Sequence, residues 1–267
     1  MISQEFVARE PIVKDLARKL YEAWQDCRVL EPLTDSYPGL TLEDAYAVQF
    51  ELLNHRLEPG ARVIGKKLGC TNIVAQQVLG TEEPVFGHLL DTTLIDDGAD
   101  VGLGGLIQPR VEAEIAFILK TDLRGPGLTA RDAISAIDYI SPAIEIADSR
   151  IRDWRIKLAD FVSDNASSGM FLLGESKVSP QALDLSCVQA RLEKNGEVVA
   201  QGNGNDVLGN PILGVVWLAN NLARTGECLK AGDVILSGSF VMPQAVSKGD
   251  HITAIFEDLG STSVRFV

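Results

Sequence analysis

Glu112 and Glu114 interrupt the apolar run "PRVEAEIAF", residues 109 to 117. On a strand the side chains alternate, so both carboxylates project to one side while Val111, Ala113, Ile115 and Phe117 project to the other. Two arrangements suit this pattern. One is a sheet with a wet face, where polar and apolar residues alternate as a matter of course. The other is a hard divalent cation that offsets the repulsion between neighbouring acids. A third acid, Glu145, sits in "SPAIEIADSR" between Ala143, Ile144, Ile146 and Ala147. Burying it unpaired is costly, so it requires a cation or a raised pKa. Three carboxylates on two short strands make an oxygen-rich site of the kind magnesium or manganese accepts. Buried ion pairs to Arg110 or Arg150 are the rival arrangement.

Other groups offer less. Lys66 and Lys67 follow an apolar segment and precede Gly69, a turn able to bring an ammonium to a bound substrate, although a solvated lysine pair has the same sequence. Cys70 lacks an identifiable base partner for nucleophilic work. Of His55, His88 and His251, only His88 stands where it could line a cleft, and a structural histidine fits it better. Ser163-Asp164-Asn165 matches one element of the serine β-lactamases, but the chain has no S-x-x-K and no K-T-G to accompany it. The glycines of "GNGNDVLG" are wrongly spaced for a dinucleotide loop and follow a hairpin instead of opening a helix. Trp154 and Trp217 read as core residues.

The elements that must position these groups follow from periodicity. "VKDLARKLYEAWQ" repeats apolar residues at helical spacing. Thr41 caps a second helix with Asp44 in its first turn, and this helix runs to Pro59 and Gly60. "RVIGKKLGC" reads as a strand entering a turn. Beyond about residue 85 short strands dominate, except for "GLTARDAISAIDYI", where Thr129 caps a helix expected to end before Pro142. "AIEIAD" is a short strand, Asn195-Gly196 joins two strands as a hairpin, and "PILGVVWLANNLA" is a helix with proline at its start. "DVILSGS" and "HITAIFEDLGSTSVRFV" close the chain as strands. The expected organisation is a helical N-terminal part, residues 1–62, ahead of a mixed, strand-rich core, residues 63–267.

With 267 residues the chain is long enough for a large core. A net charge of −13 argues against a nucleic-acid surface, which needs a basic patch. It leaves room for a small anionic substrate, because a local lysine or metal reverses the field inside a cleft. "MISQEFVARE" shows no signal-peptide pattern, and no stretch approaches the roughly 20 apolar residues of a membrane span. The four cysteines are dispersed without a C-x-x-C pair, as expected of reduced thiols in the cytoplasm.

The blocks "GKKLGCT", "IQPRVEAEIAFIL", "PAIEIADSRIRDW", "DNASSG", "KNGEVVAQGNGNDVLGNP" and "GDVILSGS" resemble those of the 2-hydroxypenta-2,4-dienoate (2-oxopent-4-enoate) hydratases. They also resemble those of the closely similar 4-oxalocrotonate decarboxylases, within the fumarylacetoacetase superfamily, and the likeness runs from about residue 40 to 267 in order. The resemblance implies an α+β fold, a β-rich mixed roll with peripheral helices. It implies a Mg2+ or Mn2+ ion held by Glu112, Glu114 and Glu145, with Lys67 as the catalytic lysine. Leu68, Ser168 and Ser237, in the matching blocks, are the further expected substrate contacts. The implied reaction adds water to a 2-hydroxy-2,4-dienoate in bacterial meta-cleavage of aromatic compounds, with decarboxylation of 4-oxalocrotonate as the alternative. A cytoplasmic homo-oligomer, pentameric or decameric, in complex with a sister enzyme of the pathway, is the implied setting. Two features pull in opposite directions. "PVFG" carries Val85 where hydratases commonly have an acid, whereas "DSRIRDWRIK" is hydratase-like.

Overall fold

The computed structural model describes residues 4–267, with side chains described from Arg9 onward. In chain order the elements are α1 (Gln4–Gln25), α2 (Leu33–Ser36), α3 (Leu42–Leu57), β1 (Val63–Gly69), α4 (Ile73–Leu79) and β2 (Val85–Leu90). The short β3 (Leu94–Ile95) and β4 (Asp100–Val101) precede β5 (Pro109–Leu119), α5 (Ala130–Ala136), β6 (Ile137–Asp148), α6 (Leu158–Ser163) and β7 (Ser168–Leu173). The remainder is β8 (Gln189–Lys194), β9 (Glu197–Asn203), α7 (Ile212–Leu222), β10 (Val234–Leu236), β11 (Gln244–Ala245), β12 (His251–Phe256) and β13 (Gly260–Phe266).

The strands form two sheets. The larger runs β2-β1-β10-β5-β6-β7-β3, with β11 also paired to β5; the smaller runs β4-β13-β12-β8-β9. This is the mixed α+β architecture with peripheral helices that the sequence led us to expect. Its main core lies between the sheets and α7, with Val111, Ala113, Ile115 and Phe117 of β5 facing Leu218, Ile235, Ile252 and Phe266 in one apolar cluster. Those are the apolar half of the β5 alternation, so burying them turns Glu112 and Glu114 to the opposite face.

The N-terminal helices form a second apolar cluster, in which Leu16 and Leu20 of α1 meet Val48 and Leu52 of α3. The expected cap on α3 is present as a reciprocal box: the Thr41 hydroxyl accepts from the Asp44 N–H and the Asp44 carboxylate accepts from the Thr41 N–H. α3 is tied to the sheet through Gln49, whose amide donates to the carbonyls of Phe86 and Val162 at 3.0 and 2.8 Å.

One boundary differs from expectation. The helix capped by Thr129 stops at Ala136, and Ile137–Tyr139 already belong to a 12-residue strand that runs through Pro142. Proline interrupts a central strand because it lacks a donor. Here the hydroxyl of Ser141 donates to the Gly174 carbonyl at 2.7 Å while the Pro142 carbonyl accepts from Gly174 N–H at 2.8 Å. The neighbouring side chain thus supplies the bond that the proline cannot make.

Candidate metal centre and its cleft

β5 and β6 are antiparallel, and in their register Glu112 stands directly opposite Glu145, with Glu114 opposite Ala143. Glu114 is therefore the diagonal neighbour of Glu145 on the same face. One ligand atom from each of the three glutamates lies within 4.8 Å of the others. Glu114 and Glu145 are fully buried.

β1 brings in Lys67 from two strands away, through β10. Its Nζ lies 3.1 Å from Glu145 Oε2 and donates to the Ala166 carbonyl at 3.0 Å. The segment that presents this carbonyl is unusual: Asn165, Ala166 and Ser167 all have positive φ, at 52°, 49° and 54°. Three consecutive non-glycine residues in the left-handed region are costly unless the surroundings fix them. Arg150 does so, donating to the carbonyls of Asp164 and Ser168 on either side. On the opposite flank, Gly238 adopts φ +84° and aims its N–H at Glu114 Oε2, 2.9 Å away.

Charge is unbalanced. Arg150 is committed to Asp164, with Nε to Oδ1 at 2.5 Å, and Arg110 forms a cation–π contact with the Trp154 ring at 4.5 Å instead of an ion pair with the triad. The buried-ion-pair arrangement thus fails for both arginines, leaving three carboxylates facing one ammonium. Glu114 Oε1 and Glu145 Oε1 are buried without a partner, and Glu145 Oε2 has only the Lys67 ammonium beside it. Burial pushes the Glu145 carboxyl up to about 7 against the pull of Lys67. Burial, together with the charges of Glu145 and Glu112, raises Glu114 well above the carboxylate range. For Lys67 burial works downward, but the charges of Glu145, Glu112 and Glu114 outweigh it and hold the ammonium above the usual lysine range. Orphaned oxygens, raised carboxyls and an uncompensated negative charge fit a hard divalent cation, which oxygen donors satisfy best.

Lys67 and Glu112 line a cleft of about 290 Å³. Its lining includes Arg110 and Trp154, the polar Thr71, Asn72 and Ser239, and the apolar Val78, Leu79, Phe161, Val241 and Met242. Leu68 also borders the cleft, though its side chain turns toward Gly214 of α7. Ser168 and Ser237 do not line it. Ser168 supplies its carbonyl to Arg150, and the Ser237 hydroxyl accepts from Ile115 N–H at 3.0 Å and donates to the Gly238 carbonyl at 2.8 Å. Cys70 borders the cleft, but burial pushes its thiol up to about 11, which suppresses the thiolate. His88 is a structural residue, its Nδ1 3.1 Å from Gln49 Oε1 and its pKa pushed down to about 3 by burial and Lys66.

Arg110 and Trp154 are the cleft residues that sequence reasoning placed elsewhere. Arg110 shares the β5 face of Glu112 and Glu114, so the alternation that identified the acids also pointed to it. Val85, by contrast, is 1% exposed in an apolar cluster with Ala45, Cys70 and Val162 and stays out of the cleft.

The model of the fumarylacetoacetate (FAA) hydrolase C-terminal family matches residues 64–267. A 2-hydroxyhexa-2,4-dienoate hydratase of Comamonas testosteroni is 44% identical over 256 residues, covering 95% of this chain and 97% of its own. A 4-oxalocrotonate decarboxylase of Pseudomonas putida is 39% identical over 252 residues, covering 94% and 96%. Among solved structures, 4-oxalocrotonate decarboxylase from Pseudomonas putida G7, complexed with magnesium and adipate, superposes with a TM-score of 0.93 at 38% identity, covering 97% of this chain and 98% of that one.

Proposed function

The chain belongs to the fumarylacetoacetate hydrolase family, and from that premise we propose that it is a metal-dependent hydratase that adds water to a short 2-hydroxy-2,4-dienoate, giving a 4-hydroxy-2-oxo acid. The observation that carries this reading is the buried triad Glu112, Glu114 and Glu145, with orphaned carboxylate oxygens, opening through Glu112 onto a largely apolar cleft. A magnesium or manganese ion held there supplies Lewis-acid stabilisation of charge at the substrate's 2-oxo and carboxylate oxygens.

The protein's own groups do the rest. Lys67, fixed in direction by the Ala166 carbonyl and Glu145, presents its amino group to the site to bind negative charge on the substrate. Arg110, held flat against Trp154, offers a second cation to the substrate carboxylate. Phe161, Val241 and Met242 exclude bulk water from the hydrocarbon part of the substrate and favour a short unsaturated tail over a charged one. The purified, magnesium-loaded protein is expected to consume freshly generated 2-hydroxypenta-2,4-dienoate, seen as loss of diene absorbance with formation of 4-hydroxy-2-oxopentanoate. No turnover of any 2-hydroxy-2,4-dienoate would remove this reading.

A second reading, decarboxylation of a vinylogous 2-oxo diacid, rests on Arg110, a cleft cation with no ion-pair partner among the described residues. Carbon dioxide released from 4-oxalocrotonate, without hydration of the monoacid, establishes it instead. Val85 does not favour this reading, because its side chain stays out of the cleft. We further propose a homo-oligomer in the cytoplasm. The support for the oligomer is the apolar surface at and beside the cleft, where Ile73, Val78 and Met242 are 65%, 77% and 62% exposed, and the support for the cytoplasm is the set of unpaired cysteines.

A further inference from the structure

A second cavity, of about 330 Å³, shares none of its lining residues with the cleft that Lys67 borders. It is walled by Tyr21 and Trp24 at the end of α1, Arg56 at the end of α3, Thr92 after β2 and Met170 of β7. Arg56 is 8% exposed, its Nε is buried with no partner, and it makes no hydrogen bond or ion pair among the described residues. Its guanidinium carbon lies 4.5 Å from the Trp24 ring centroid. An unpaired buried guanidinium is costly, and a cation–π contact recovers only part of that cost.

The other charges bordering the cavity are already matched. Arg150 gives Nε to Asp164 Oδ1 at 2.5 Å and its remaining N–H groups to the carbonyls of Asp148, Ser168 and Asp164. The Asp148 carboxylate accepts from the N–H groups of Ile107 and Gln108. Arg56 is thus the one cation there without a hydrogen-bond or ion-pair partner among the described residues, although Asp164 acts on it at longer range. Burial and the neighbouring Arg150 push its pKa down to about 10, which still leaves it charged at neutral pH.

We propose that this cavity is a second ligand site, distinct from the metal centre, for a small organic anion with one carboxylate and a flat apolar body. The carboxylate pairs with Arg56, whose planar fork suits it, and the body lies against Trp24, Tyr21 and Met170. The site abuts the catalytic cleft through Arg150, which holds the Ser168 carbonyl two residues from the Ala166 carbonyl that fixes Lys67.

The test titrates benzoate, with uncharged benzyl alcohol as control, into the magnesium-loaded protein and follows the indole N–H signals of Trp24 and Trp154 by NMR. Trp154 borders the catalytic cleft and therefore reports binding there. The expected result is a saturable shift of Trp24 with benzoate and none with benzyl alcohol, weakened at least tenfold in Arg56→Gln. Thr92→Phe, at an exposed rim position, closes the cavity with Arg56 intact and removes the shift even if Arg56→Gln does not fold. A Trp24 signal that ignores benzoate, follows benzyl alcohol equally, or moves unchanged in Thr92→Phe overturns the proposal.

Discussion

Glu112 and Glu145 stand directly opposite one another across the β5–β6 ladder, two like charges at the position where a sheet ordinarily places complementary side chains. With Glu114 diagonal to the pair and only Lys67 opposing them, the arrangement holds in its fully charged state only when a further positive charge enters. Glu114→Gln keeps the shape and the Gly238 bond acceptor but removes one charge. Loss of a neighbour that merely orients a ligand weakens metal binding by roughly 10 to 100-fold, so loss of this carboxylate should exceed that and abolish turnover with it. Calorimetric titration with magnesium or manganese checks it, and undiminished affinity would rule out Glu114 as a ligand.

The same crowding fixes a pH dependence in the metal-free protein. Glu145 titrates near 7 in the folded state, against 4.5 for an ordinary glutamate, so the folded state binds more protons than the unfolded one between those values. Glu145 therefore contributes a fall in stability as pH rises from about 4.5 to 7, and Glu114, raised well above the carboxylate range, extends that fall upward, the reverse of an ordinary salt-bridged acid. Surface acids whose pKa is lowered, such as Glu10 and Asp15, act below this window, but His88, pushed from 6.5 to about 3, makes stability rise with pH up to 6.5 and opposes the triad over that lower part. Thermal unfolding in chelator between pH 6.5 and 8, above the His88 range, should show a declining Tm, and saturating magnesium should restore it at pH 8. A metal-free Tm that rises across that range would show the triad to be unprotonated.

Lys67→Met separates stability from catalysis. Removing one partner of a buried ion pair costs about 3 to 5 kcal/mol because the other charge is stranded. Here the stranded groups are the proposed ligands themselves, so excess magnesium should recover much of the lost Tm while activity stays absent. If metal restores turnover as well, Lys67 is a structural counter-ion and no more.

How much of this was legible in the sequence depends on range. The period-two alternation around Glu112 and Glu114, and the apolar flanks of Glu145, are local signals and located the triad. That Glu112 meets Glu145 across the ladder is a matter of non-local register, which no window of sequence contains. The helix boundary at Ala136 was misplaced because Pro142 reads as a helix stop, whereas Ser141 lends its hydroxyl and lets the strand continue. Arg110 is offered by sequence only as a rival ion-pair partner, and Trp154 reads as core, because side-chain stacking between residues 44 positions apart leaves no periodic trace. Gly238 showed its glycine but not its reason, which is a backbone N–H turned onto a carboxylate far away in sequence.

Gly238→Ala tests that reason. At φ +84° a Cβ is strained, and it would lie 2.1 Å from the Thr71 hydroxyl oxygen. Strain of this kind costs about 1 to 3 kcal/mol, and relief by local movement would carry the N–H away from Glu114. Both a lower Tm and weaker metal binding are expected, while pairing the substitution with Thr71→Gly should recover Tm more fully than affinity. Equal recovery of both would show the hydrogen bond to be dispensable.

Arg110→Met decides between the two chemistries while leaving the metal ligands in place. Methionine keeps the contact with Trp154 through its thioether but removes the charge. If Arg110 only helps to neutralise the carboxylate of a monoacid, which other cations also hold, KM for 2-hydroxypenta-2,4-dienoate should rise by about tenfold, with kcat nearly unchanged, the signature of a contact made equally in ground and transition states. If it holds the second carboxylate of a diacid, activity on 4-oxalocrotonate should fall by at least 100-fold while any activity on the monoacid persists. The apolar Phe161, Val241 and Met242 in the cleft's lining favour the first outcome, since they offer a distal carboxylate no donor. Steady-state kinetics on both acids, wild type against variant, separates them.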